Sequence, residues 1–493
     1  MFKEINKYPK PLRRSVLEGM FSAIMSGGAV VFIIPFAVFL GANSIQIGLI
    51  SAIPALLAAW FQLASLKLLE VHQKKSTVVM FFVAIHAISW LLIAILPFIA
   101  PTSQLSWFIA LTIIGTVVSS IGFPWWQSWM KSITPKEIVG GYFGFRNAVI
   151  GFVVFATTII CGFLLKVAEP NLVLYAFVAI FLLGFIGRSV SLYFLSKIPE
   201  PKVEQAPEEK ISFWIFIEQL KKNNFGHFIL YGALMTFAIA MISPFISLYF
   251  LKDLGLANDY FMYTALISAA TLTSIVSMPY WGKVMDKHGT IKVLTATGFL
   301  ACFYPLILIF VRDPVLLIVL QLFDGVAFSG FILALANFIF DSFEPKKIIY
   351  YATFQSILFG IATFCGTIIG GYIQLFPVSI WILTIPFFVV CAISFLIRII
   401  VYFALIWQIK DVRETKYISE RQLVLSVLTF QPVRESIYQG FSLMLAEGVK
   451  TAGVVENGLE KAEKFAFKKI RMTKKVTKKD INKIEKIIQK KRK

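Results

Sequence analysis

Charged side chains are scarce in this chain, at 15% of its 493 residues, and acidic ones are the scarcer, with 27 Asp and Glu against 47 Lys and Arg. The groups that bond-making chemistry needs are also thin on the ground. Four histidines and four cysteines supply no pair at the spacing of a metal or redox site. Nucleophile elbows and glycine-rich phosphate loops do not occur. The sequence therefore argues against an enzyme, against ATP-driven work, and against a bound metal or cofactor. Cys161, Cys302, Cys365 and Cys391 each lie in an apolar run and read as buried thiols.

What is abundant is hydrocarbon. Apolar side chains make up 58% of the chain, above the half or less of an ordinary soluble protein. Runs of roughly 20 apolar residues, the length that crosses a bilayer core as a helix, recur from Leu17 to Trp407. The fold class expected is an all-α polytopic membrane protein. The spans read as 16–40, 46–69, 77–98, 105–130, 138–165, 171–196, 227–251, 260–281, 292–311, 315–340, 349–374 and 378–407. That is twelve, in two sets of six. The domains implied are an N-terminal segment 1–15, a first bundle 16–197, a polar linker 198–226, a second bundle 227–408 and a basic tail 409–493. The first span follows Lys3, Lys7, Lys10, Arg13 and Arg14 but is too long for a signal peptide and lacks a small-residue cleavage site.

Lysine placement orients the chain. Alternate loops on one side hold Lys74, Lys75, Lys131, Lys136, Lys221, Lys222, Lys283, Lys287, Lys346 and Lys347 among others, whereas the opposite loops hold Lys166, Lys252 and Arg312. The positive-inside bias then puts both termini in the cytoplasm of a multi-pass cell-membrane protein. The halves also repeat. An offset of 210 places Pro135 on Pro345, Lys136 on Lys346, Ile138 on Ile348, Gln127 on Asn337 and Arg188 on Arg398, and "IIPFAVFLG" at 33–41 echoes "ISPFISLYFLKDLG" at 242–255. Prolines and arginines are rare in apolar sequence, so these matches carry weight that leucines would not.

Between spans eight and nine stands "GKVMDKHGTIKV". Gly282, Asp286, Lys287, Gly289 and Lys292 resemble the signature loop of the major facilitator superfamily, with Thr290 and Ile291 delaying the last lysine. The physical reading is that Gly282 permits close helix approach, Gly289 permits a tight turn, and Asp286 caps a neighbouring helix or pairs with a base in one state of a moving bundle. In the first half "SLKLLEVHQKKSTVV" offers Glu70 for the aspartate but neither glycine. "WWQSWMKSITPKEIVGGYFGFRNAVIG", residues 125–151, resembles the connection between spans four and five of prokaryotic members. The resemblance covers about residues 15–407. It implies two six-helix, pseudo-symmetric bundles and secondary transport of a small solute by alternating access, with a non-transporting receptor or scaffold as the alternative.

Ionisable residues inside spans are functional candidates by default. Asp324, in "LQLFDGVAFSG", and Glu18, at the start of span one beside Arg13 and Arg14, are candidates for proton coupling. Trp125, Trp126, Gln127, Arg146 and Asn147, with Asn337 and Gln355 from the second half, are candidate cavity residues, because aromatic walls with a few amides suit a small solute. The repeated Arg188 and Arg398 read as helix anchors, and His86 as a packed, neutral histidine.

The tail concentrates the charge. Residues 458–493 hold fifteen basic and four acidic side chains, with Ile470, Ile481, Ile484, Ile487 and Ile488 among the lysines. That pattern suits an amphipathic helix on anionic lipid headgroups. Its two aromatics, Phe465 and Phe467, stand together near its start and none is interleaved among the lysines that follow, so nucleic acid is not an expected partner. The expected partners are a small-molecule substrate, protons as a candidate coupling ion, and the lipid bilayer, around a monomer.

Overall fold

The computed structural model describes residues 5, 8–71, 74–135, 139–199, 213–220, 222–343, 345–376, 385–412 and 418–436, and among them there is no β-strand. Eleven helices are long and apolar enough to cross a membrane. The remaining expected span, 46–69, falls on α3 (Ser44–Val71), 28 residues long, of which Ser44–Ala58 is the described apolar part. The others in order are α4 (Lys75–Ile99), α5 (Gln104–Ile133), α6 (Val139–Val167), α7 (Val173–Ser196), α11 (Tyr260–His288), α12 (Thr290–Phe310), α13 (Pro314–Ser342), α14 (Pro345–Ile373) and α15 (Pro386–Leu405). Helix α15 opens on Pro386, because proline in the first turn gives up no N–H that a helix would use; the expected start of that span at 378 lies outside the described residues.

The first and seventh spans are each broken, at corresponding places, with the π turn on opposite sides of the short second helix. The first runs as α1 (Lys10–Met25), a π turn at Ser26–Val30, then α2 (Ile33–Phe39). The seventh runs as α9 (Asn224–Ala240), α10 (Ser243–Leu248), then a π turn at Tyr249–Asp253. Pro35 and Pro244 have no N–H to donate to the preceding turn, so both breaks lie just ahead of a proline. Both spans end on a glycine at positive φ, Gly41 at 85° and Gly255 at 71°. Capped helices follow. Asn43 and Gln46 exchange two bonds of 2.9 Å at the start of α3, and the Asp259 carboxylate accepts from the Met262 N–H at 3.2 Å at the start of α11. The repeat inferred from 33–41 and 242–255 is thus a repeat of backbone geometry.

The halves share one core at the end marked by Gly41 and Gly255. Phe36, Ala42, Ile47 and Phe177 from the first half are buried in one cluster with Phe245, Tyr249, Tyr260 and Tyr263 from the second, and Phe177 meets Tyr260 edge to face at 5.6 Å. Lys252 Nζ donates to the Ala42 carbonyl at 2.9 Å, and Lys166 pairs with Asp259 at 3.3 Å. Toward the end that carries Gly289, each described buried cluster belongs to one half. Trp125, Trp129 and Leu195 pack within the first, as do Val16, Tyr142 and Val149; Phe225, Trp281 and Phe338 pack within the second.

The chain past the last span stays attached. Helix α16 (Glu420–Leu428) buries Leu423 and Val427 in the second-half core while Arg421, Gln422 and Leu425 are exposed, the i, i+4 division of an amphipathic helix. Phe430 packs against Phe323 of α13, ring centroids 4.3 Å apart and tilted by 53°. The unit that holds the spans extends to Val433, so it runs past 409. The basic segment 458–493 lies outside the described residues.

The turn between α11 and α12 is held by carboxylates the sequence did not single out. Gly289 has φ 97° and ψ 151°, a region essentially reserved for glycine, and Asp411 fills the space in front of it, 2.6 Å from where a Cβ would stand. Ile291 N–H donates to Asp411 Oδ1 at 2.8 Å, and Thr290 Oγ1 donates to Asp341 Oδ2 at 2.6 Å. Asp411 therefore caps the N-terminus of α12. Asp286 itself is exposed, and Gly282 has no neighbour within 4 Å of a Cβ position, so it does not mark a close helix contact here. Lys287 is exposed and Lys292 half-buried beside Asp411.

Burial lifts the Asp411 carboxyl above its ordinary range, against the opposing pull of Ile291 N–H and Lys292. A raised carboxyl pKa favours the neutral form in the fold. The stability Asp411 contributes is therefore complete below the unfolded value, about 3.9, and is lost as pH rises through the raised value. Asp411→Asn keeps an acceptor for Ile291 N–H and does not titrate. The wild-type advantage in melting temperature over Asp411→Asn should shrink as pH rises from about 4 to 7; a difference that is flat with pH would show that this carboxyl is not the titrating group.

Candidate functional site

Glu18 lies on α1, and two glycines let helices close on it. A Cβ at Gly19 would meet Arg146 Nη2 at 2.8 Å, and one at Gly187 would meet the Phe21 carbonyl at 2.8 Å. Helices α6 and α7 can therefore press against α1, each bringing an arginine. Arg146 Nη2 pairs with Glu18 Oε2 at 2.9 Å, and its Nε donates to the Ser15 carbonyl at 3.2 Å. Its guanidinium lies 4.5 Å from the centroid of the Trp126 ring. Arg188 Nη1 donates to Ser22 Oγ at 3.0 Å and to Ser191 Oγ at 3.4 Å, and stands 4.0 Å from Glu18 Oε1. Ser191 Oγ donates to that same Oε1 at 3.1 Å.

These groups are nearly dry. The side chains of Glu18, Arg146 and Arg188 are 4%, 8% and 12% exposed, so the ion pair carries a desolvation penalty of several kcal/mol per charge that the contacts offset. They face a cavity of about 400 Å³ whose walls also include Ser26, Val83, Ser119, Phe123 and Ile150. Every described lining residue belongs to the first half. With one carboxylate and two guanidinium groups, the described lining residues carry one net positive charge.

Of the sequence candidates, Glu18, Trp126 and Arg146 come together here. Glu18 pairs with neither Arg13, whose Nε donates to the Tyr8 carbonyl at 2.5 Å, nor Arg14, which donates to the Lys197 carbonyl. Trp125 does not line the cavity. It is fully buried beside Trp129, Val79 and Leu195, because adjacent helical residues point about 100° apart. The same rotation leaves Asn147 exposed next to buried Arg146. Gln127 and Glu70 fall in α5 and α3, but their side chains lie outside the described ones.

The second-half candidates sit apart from this cavity. Asn337 Nδ2 contacts Met285 Sδ at 3.5 Å, and Gln355 Nε2 donates to the Leu335 carbonyl at 3.3 Å. Asp324 is half-buried on α13, within electrostatic reach of Arg398 and Tyr304. Arg398 Nη1 donates to the Ala301 carbonyl at 2.7 Å. His86 is buried, and its Nε2 accepts from Trp90 Nε1 at 3.1 Å. Sequence reasoning passed over Ser22 and Ser191 and read Arg188 as an anchor. The signal was the i, i+3 pairing of Arg188 with Ser191 on one helical face, legible once Glu18 was known to face it.

Removing one partner of a buried pair strands the other. Arg146→Met should cost about 3–5 kcal/mol and lower the melting temperature sharply, whereas Glu18→Gln/Arg146→Met together should recover part of that loss. A double variant no more stable than Arg146→Met alone would mean that the arginine acts through packing rather than charge.

The geometry can be set beside known proteins. A search of curated proteins finds no match to this sequence. Solved structures match in fold at low identity. The nucleoside transporter NupG has a TM-score of 0.62 at 13% identity, covering 81% of this chain and 99% of its own. A bacterial homologue of the iron transporter ferroportin, in an inward-facing state, has a TM-score of 0.61 at 14% identity, covering 81% and 98%. A D-xylose-proton symporter has a TM-score of 0.59 at 12% identity, covering 82% and 98%. The sequence profile described as Major Facilitator Superfamily matches residues 17–272 and 228–456. With that match over most of its length, on a helical fold of two related halves, the chain belongs to the major facilitator superfamily, a family of multi-pass membrane transporters.

Proposed function

We propose that this chain is a secondary transporter that carries a small solute by alternating access, in a state open toward the cytoplasm. The observation that carries the reading is the one-ended closure: the halves share a core at the Gly41–Gly255 end and keep separate cores toward Gly289. Lysine bias assigns the Gly289 end, and both termini, to the cytoplasm. A scaffold would gain nothing from a cavity lined by buried charges, whereas a carrier needs a site near mid-membrane reached from one side at a time. Asp324 and Glu18 are the groups proposed to take up protons if transport is proton-coupled. Asn337 and Gln355 would supply polar contacts from the second half.

Cysteine labelling in sided vesicles tests this. Ser22→Cys should react with a membrane-impermeant maleimide added on the cytoplasmic side, as should His288→Cys. Joining Lys166→Cys to Asp259→Cys with a short cross-linker should hold that access open and block exchange to the other side. A residue 22 that labels from neither face would favour the scaffold, and labelling of 288 from outside would reverse the topology.

For the segment 458–493 we infer attachment to anionic lipid. The full chain in detergent should bind phosphatidylserine vesicles more tightly than a chain ending at 457; equal binding would remove that role.

A further inference from the structure

The cavity described above is bordered by donors that no described group meets. Two residues of its lining, Arg188 and Trp126, each carry a buried nitrogen, Nε and Nε1, without a hydrogen-bond partner among the described residues. Both are donors and neither can accept. Glu18, the one carboxylate among the described lining residues, already accepts at both oxygens: Oε2 from Arg146 at 2.9 Å and Oε1 from Ser191 at 3.1 Å. Arg146 thus neutralises Glu18 at close range, and Arg188, at 4.0 Å from Oε1, is left with charge to spare.

We propose that this cavity binds a small organic monocarboxylate, with its two oxygens on the Nε edge of Arg188 and the Trp126 indole N–H within reach. The proposal rests on the transport reading for its purpose and on the cavity alone for its chemistry. A guanidinium edge presents two parallel N–H groups that match a carboxylate. One negative charge balances the one net positive charge of the lining; a dianion would overshoot and a cation would add to the excess. Ser22 and Ser26 can follow with hydroxyl contacts, and Val83 and Phe123 give apolar wall to the organic body. A cavity of about 400 Å³ is within the range of small-ligand sites. The equivalent Arg398 also has a buried Nε without a partner among the described residues, but its Nη1 donates to the Ala301 carbonyl and it has Asp324 within electrostatic reach.

The test is ligand-dependent thermal stabilisation and calorimetry of the purified full chain, at fixed ionic strength, with lactate, pyruvate and benzoate against their neutral amides and against inorganic phosphate and choline. The expected result is saturable stabilisation by at least one carboxylate. Its matched amide should bind at least ten-fold more weakly, and choline should give no shift. Arg188→Gln should abolish binding, Arg188→Lys should weaken it, and Trp126→Phe should weaken it less. Variants that elute and melt without ligand as the wild type does are the ones compared. Equal binding of acid and amide, full binding by folded Arg188→Gln, preference for phosphate, or no carboxylate binding at millimolar concentration overturns the proposal. Proteoliposome uptake separates it from the transport reading. Binding that needs Arg188 without uptake sinks transport and leaves the site standing; uptake of a neutral solute that ignores Arg188→Gln does the reverse.

Discussion

A peptide group carried into hydrocarbon has no water to bond, so each N–H and C=O must find its partner along its own helix. That requirement makes the chain helical from end to end of its spans and makes any break in a helix costly. The breaks that do occur are therefore informative. They fall in the first and seventh spans, ahead of Pro35 and Pro244, with a π turn before the short helix in the first span and after it in the seventh. Because a break just ahead of a proline appears in both halves, its position is set by the duplicated architecture and not by a local accident of sequence.

The same medium governs charge. Glu18 can lie buried only because α6 and α7 bring arginines to it, and they can come close only where Gly19 and Gly187 leave room. The duplicated scaffold places an arginine on the equivalent helix of each half, but the two have different company. Arg188 looks toward a carboxylate and serine hydroxyls, and Arg398 toward the Ala301 carbonyl with Asp324 at longer range. Symmetry of backbone coexists with asymmetry of chemistry, and the charged cavity belongs to one half.

Much of this was legible in the residues. Span lengths follow from hydrophobic runs, the repeat from scarce prolines and arginines, and the family from the loop at Gly282–Lys292. Less legible were side-chain partners across helices. Trp125 and Trp126 look alike in sequence, yet one helical step sends the first into the packed core of its half and the second to the cavity. Glu18 sits in sequence near Arg13 and Arg14, but its partners are 128 and 170 positions away. Asp411 could not be tied to Gly289 from spacing, because the contact joins the end of the last span to a turn more than a hundred residues earlier. In each case the deciding fact is which helix lies beside which, and a one-dimensional pattern does not carry it.

The placement of the shared core has a mechanical side. Helix α11 is 29 residues long, about 44 Å at 1.5 Å per residue, and one of its ends lies in the contact between halves. Pivoted there, a turn of about 10° would swing the far end by about 8 Å, since displacement grows with the length of a rigid helix. Rearrangements the size of a phenyl ring around Phe36, Phe177 and Tyr260 are thereby geared up to helix-sized travel at the opposite end, as a short arm drives a long one.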